Sequence, residues 1–148
     1  MNKIEMLPFE IEHARQILVR PEQYNEKAQD EFEKWARINK EGGQSLSAFY
    51  GDILLGCAGV RKMWEGVGEA WAIFSRDIVD FKKDAYVVTG RELYRMIDEG
   101  NFHRTQAHVD ATFPLAVKFI EGLGFKKECL MRKFQPNGND SFLYSIVR

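Results

Sequence analysis

Three short apolar runs separated by tight turns fill the middle of the chain, and few folds can accommodate that pattern. Ser45–Tyr50, Ile53–Arg61 and Glu69–Ser75 read as strands, with Gly51-Asp52 and Glu65-Gly66-Val67-Gly68 between them. Turns this short connect only antiparallel neighbours, so the segment predicts a three-stranded meander. Gly56 and Gly59 inside the second run mark a bulge or a close backbone approach. The pattern then changes. A helical stretch ends at Gly100, His103–Ala111 reads as a strand, and Pro114 opens a helix that runs through Leu115–Leu123 into Gly124. Lys127–Phe134 and Phe142–Val147 are two further strands around the polar turn Pro136–Asp140. Strand–helix–strand units imply locally parallel pairing, so the sheet that joins both halves is mixed.

Ahead of the meander, an apolar run within Met1–Glu10 is closed by Pro8, as on an edge strand. Ile11–Arg20 carries Ala14, Ile17 and Leu18 at helical spacing, and Pro21 interrupts it. From Asn25 a second helix places Ala28, Phe32, Trp35 and Ala36 on one face, and Gly42-Gly43 ends it. The third helix has two possible starts. Thr89-Gly90-Arg91-Glu92 fits a capping box, while Phe81, Ala85 and Val88 extend the apolar stripe back to Lys82. The element order is β-α-α-β-β-β-α-β-α-β-β, an α/β (α+β) class.

The chain's 148 residues suit a single domain spanning 1–148, and 45% hydrophobic with 29% charged residues is a globular composition. A net charge of −1 argues against nucleic acid as the main partner. No apolar stretch approaches the ~18 residues of a membrane span, and Met1-Asn2-Lys3-Ile4-Glu5 is not a secretory leader. A cytoplasmic location is therefore expected, with Cys57 and Cys129 as buried, reduced thiols. His13 and His103 lack acidic or Cys partners at ligand spacing, so no metal site is expected.

This order resembles the GNAT-type N-acyltransferases over nearly the whole chain, most clearly from Ile53 to Phe125. Glu69-Ala70-Trp71-Ala72-Ile73-Phe74-Ser75 is similar to the family strand that carries acyl-coenzyme A, and Leu115–Gly124-Phe125 to the late helix that ends in Gly-Phe. Size and altered loop also resemble a small GNAT-like family encoded by tailed bacteriophages and associated with virion assembly. The resemblance implies a mixed central sheet of six to seven strands with helices on both faces. It also implies a V-shaped gap between Ala70–Ser75 and Thr105–Asp110. The implied ligands are acetyl-CoA as co-substrate and an amine-bearing acceptor, small molecule or protein. The alternative is an inactive binding module in the host cytoplasm or the virion, with a phage or host protein as partner.

Three departures bear on activity. The family's glycine-rich phosphate loop falls on Asp80-Phe81-Lys82-Lys83-Asp84-Ala85-Tyr86, which has no glycine. Family Asn and Tyr positions fall on Phe113 and Ile120. Lys82 and Lys83 remain as candidate phosphate contacts, with Gly90 and Arg91 as a second candidate end. Ile73, Phe74 and Ser75 are the implied coenzyme-binding stretch. Glu69 opens that strand, where the family often places a general base. The strand after it alternates Arg104, Gln106, His108 and Asp110 onto one face, and His108 is the one candidate base there that titrates near neutrality. Either Glu69 or His108 is the expected base. Trp64, Trp71, Phe49 and Tyr50 are read as core or rim.

Overall fold

The computed structural model describes residues 3–18 and 26–148, with the side chains of 18 and 26–29 left aside. The expected break at Pro21, the helix start at Asn25 and the Ala28 contact lie outside the described residues. The elements are β1 (Glu5–Pro8), α1 (Ile11–Leu18), α2 (Glu26–Glu41), β2 (Gly43–Tyr50), β3 (Ile53–Trp64) and β4 (Val67–Phe74). A 3-10 turn (Arg76–Phe81) leads into α3 (Lys82–Gly100), then β5 (Arg104–Asp110), α4 (Pro114–Gly122), β6 (Lys126–Met131) and β7 (Ser141–Val147). The strands form one seven-stranded sheet in the order β1-β2-β3-β4-β5-β7-β6. It is mixed: β4 and β5 are parallel, and the other neighbours are antiparallel.

Helices cover both faces. Phe9, Ala14 of α1 and Ala36 of α2 bury against Leu54 and Cys57 of β3. On the opposite face Leu93, Met96 and Ile97 of α3 and Ile120 of α4 pack on Val60, Ala107 and Tyr144. Leu55 is the extra residue of a bulge against β2, because Phe49 pairs with Leu54 and Ala48 with Gly56. That insertion turns Leu54 to the same face as Cys57.

The start of α1 is closed by a polar chain. His13 Nδ1 accepts the Glu10 N–H at 3.1 Å, as the third helical residue does in a capping box, and lies 2.7 Å from the Ser47 hydroxyl. Ser47 in turn lies 3.3 Å from Cys57 Sγ, and burial pushes that thiol up to about 11. Cys129 is exposed on β6, which corrects the expectation that both thiols are buried.

The third helix takes the earlier start. Ala85 joins Leu93, Met96 and Ile97 in its buried stripe, so burial of the first turns overrides the capping-box pattern at Thr89. Gly90 and Arg91 therefore lie in mid-helix and offer no free helix end, contrary to the second phosphate-end expectation.

β4 and β5 pair only at Val67–Arg104, Gly68–Thr105 and Glu69–Gln106, then separate. β4 stays on β3 as far as Phe74–Gly56, and β5 stays on β7 from Arg104–Val147 to Asp110–Ser141. The V-shaped gap is therefore present, opening at Ala70 and Ala107. Gly66 sits at its vertex with φ +82°, and its carbonyl accepts the N–H groups of both His103 (2.9 Å) and Arg104 (3.2 Å). That φ favours glycine, and a Cβ there would also have to displace the His103 ring.

Candidate active site

The gap gives β4 a free edge in the middle of the sheet. Ser75 donates its N–H to the Leu55 carbonyl at 2.9 Å. Peptide groups alternate sides along a strand, so those of Ala70, Ala72 and Phe74 face the gap. The cleft there is about 730 Å³. Its walls are small and apolar: Ala70 and Ala72 on β4, Ala107 and Val109 on β5, Ala85 on α3 and Ala116 on α4. Phe74, Phe119 and Tyr86 form an edge-to-face row along it, with ring centroids 5.2 and 6.0 Å apart.

Two predicted residues come together on the α1/α2 face at the point of divergence. His108 Nε2 lies 3.5 Å from Glu69 Oε1. Glu69 Oε2 accepts a hydrogen bond from Arg61 Nη2 at 3.0 Å. Phe134, from the β6–β7 connection, sets its ring edge-on to the imidazole at 4.6 Å. Partial burial pushes His108 below its ordinary value of 6.5, against the opposing pull of Glu69. One oxygen of Glu69 is thus engaged by Arg61. His108, whose neutral form burial favours, is the stronger candidate, and Glu69 lies beside its Nε2.

The other polar residues of β5 are engaged elsewhere. Arg104 binds Glu128 through two nitrogens at 2.6 and 3.1 Å and Gln106 at 3.0 Å, and Ser145 also donates to Glu128. Asp110 accepts from Thr112 and from Asn139. Among the described residues, no group of three metal-ligating side chains occurs. No described helix is long and apolar enough to cross a membrane.

The implied coenzyme residues divide. Phe74 and Lys82 line the cleft. Ile73 packs in the core beneath α1 and α2, and the Ser75 hydroxyl is buried without a partner. Lys83 is exposed outside the cleft walls. Gly90 and Arg91 border a separate hollow of about 300 Å³ between α3 and α4. The 3-10 turn runs straight into α3, whose N-cap Phe81 makes no side-chain cap bond. The slot thus offers a free strand edge between small apolar walls, with Lys82 as a point charge beside it and no glycine turn at the start of α3.

Arg61 and Phe134 are absent from the sequence reading. Arg61 comes opposite Glu69 only because the register shifts by one between Lys62 and Trp64, since a regular two-residue turn at Glu65-Gly66 would place Lys62 there. Phe134 lies 26 positions from His108, and nothing local in the sequence joins them. Trp71 is core, edge-to-face with Phe9 and Trp35 at 5.1 Å each, while Trp64 is exposed.

No protein-family model matches the chain, and no curated protein matches it either. Solved structures do. A GNAT-family acetyltransferase from Bacillus anthracis superposes with a TM-score of 0.70 at 19% identity, over 99% of this chain and 97% of that one. The spermidine/spermine N-acetyltransferase SpeG from Vibrio cholerae gives a TM-score of 0.72 at 18% identity, over 98% of this chain and 92% of that one. With the split sheet and helices on both its faces, the chain has the fold of the GNAT acetyltransferases.

Proposed function

We propose that the chain transfers an acyl group from a pantetheine thioester, acetyl-CoA in the form the resemblance implies, to an amine. The observation that carries this is the unpaired β4 edge with a histidine near its divergence point. The amine nitrogen attacks the thioester carbon, the C–N bond forms and the C–S bond breaks. The proton lost by nitrogen goes to His108. Sulfur leaves as thiolate and is protonated by solvent, since Ile120, at the family's Tyr position, is buried and has no acid to give. The test is release of free thiol from acetyl-CoA with a panel of monoamines and polyamines. A rate equal to the amine-free background for every amine overturns the reading.

Coenzyme A is expected to bind weakly and to lose affinity with salt. Lys82 and Lys83 are exposed ammonium groups beside Asp80 and Asp84, and each such contact is worth roughly 0–1 kcal/mol. Calorimetry should show Lys82→Ala/Lys83→Ala weakening binding by roughly 2- to 10-fold at low salt and by little at about 1 M, where charges are screened beyond about 3 Å. Tight binding that ignores both salt and substitution contradicts this.

A second reading has its own support. The missing glycine turn and the buried Ile120 suit a protein that keeps the fold without the chemistry. In that case the chain acts as a binding module, the resemblance pointing to virion assembly or a host protein. It then neither binds coenzyme A nor releases thiol.

A further inference from the structure

We propose that the thioester entering the slot is borne on the phosphopantetheine arm of a carrier protein, which docks on the apolar rim at the slot's mouth. This rests on the acyl-transfer reading above and names its donor. The slot recognises what both possible donors share: the β4 edge offers backbone partners to the arm's amides, and alanine walls leave room for the chain. The donors differ beyond the arm's phosphate. Free coenzyme A continues into a second phosphate and a nucleotide, and a carrier continues into a protein surface.

At that end the structure is built for the protein. No residue from Asp80 to Val88 is glycine, so no glycine turn gathers backbone N–H groups for a diphosphate there. The cations on the cleft wall are Lys82 and Lys118, point charges suited to one phosphodiester. Around them stand three large apolar side chains in water: Val79 of the 3-10 turn (59% exposed), and Phe113 and Leu115 at the start of α4 (61% and 70%). All three line the same cleft. A hydrated nucleotide gains little from such a surface. The apolar centre of a protein interface, ringed by charge, is what it matches. The transfer balances as before: C–N forms, C–S breaks, the amine proton goes to His108, and the arm's thiolate stays on the carrier.

Three donors separate the possibilities: acetyl-CoA, acetyl-phosphopantetheine and an acetylated acyl carrier protein, each with the same amine. Free acetyl-phosphopantetheine should match acetyl-CoA in kcat/KM to within about threefold, because the nucleotide contributes no binding. The acetylated carrier should exceed both by about tenfold or more. Leu115→Asp and Phe113→Asp should lower kcat/KM for the acetylated carrier by about tenfold more than for acetyl-phosphopantetheine, so that the carrier's advantage is lost. Thermal denaturation checks that both variants remain folded. An advantage of about tenfold for acetyl-CoA over acetyl-phosphopantetheine overturns the proposal, as does a carrier no better than its free arm. Either result leaves the acyl-transfer reading standing. Thiol release from none of the three donors removes that reading, and this proposal with it.

Discussion

Replacing His108 with alanine is expected to lower kcat for acyl transfer by roughly a hundred- to ten-thousandfold, the usual contribution of a positioned general base. The wild-type rate should rise with pH along an acidic limb that lies below 6.5, because burial favours the neutral ring and only that form accepts a proton. Glu69→Gln should cost less and move the same limb further down. The carboxylate is the one partner that favours the protonated ring, and glutamine removes its charge. If Glu69 were itself the base, Glu69→Gln would abolish the rate, and the limb would follow a carboxylate. Unchanged rates in both variants remove the assignment altogether. The lowered value also has a stability consequence. The unfolded chain protonates this ring more readily than the folded one, so its contribution is present above 6.5 and is lost as pH falls through and below that value.

Tyr144→Ala is expected to destabilise the fold by roughly 3–5 kcal/mol, as loss of a fully buried aromatic ring does. Tyr144 is 0% exposed and pairs with Ala107 of β5 on one side and Lys127 of β6 on the other. Its hydroxyl lies 3.1 Å from Glu121 on α4, so it ties the helix to the sheet as well. β5 loses β4 as a partner after Gln106, and β7 alone then holds it in the sheet. Thermal unfolding should fall by roughly 6–20 °C at this chain length. Tyr144→Phe keeps the ring and should cost only about 0.5–1.5 kcal/mol for the hydrogen bond. A drop in Tyr144→Ala no larger than in Tyr144→Phe shows that the ring does not hold β5.

Local pattern carried much of this into view from sequence. The meander, the late helix closing at Gly124-Phe125 and the mixed sheet follow from turn length and apolar period, which act over a few residues. The alternation of β5 correctly placed Arg104, Gln106, His108 and Asp110 on one face, but not their partners. Arg104 is claimed by Glu128 from β6, and His108 is covered by Phe134 from a connection with no periodic signal. Such pairings depend on strand order, which puts β7 between β5 and β6, and no local rule yields it. At the start of α3 two local signals competed, and the structure takes the earlier one. A sound capping box at Thr89 was present, but a buried Ala85 one turn earlier outweighed it.

The divergence at Ala70 has a consequence for amide exchange with solvent deuterium. In most sheets the central strand exchanges last, because both its edges are bonded and it opens only on global unfolding. Here the middle strand of seven carries the free edge. The N–H groups of Ala70, Ala72 and Phe74 should exchange fast, at the pace of an outer strand, while those of Trp71 and Ile73, bonded to β3, exchange slowly. The resulting pattern of alternating fast and slow amides along one strand would disappear when a ligand's amides occupy the slot. That change would report occupancy directly, whether or not any chemistry follows.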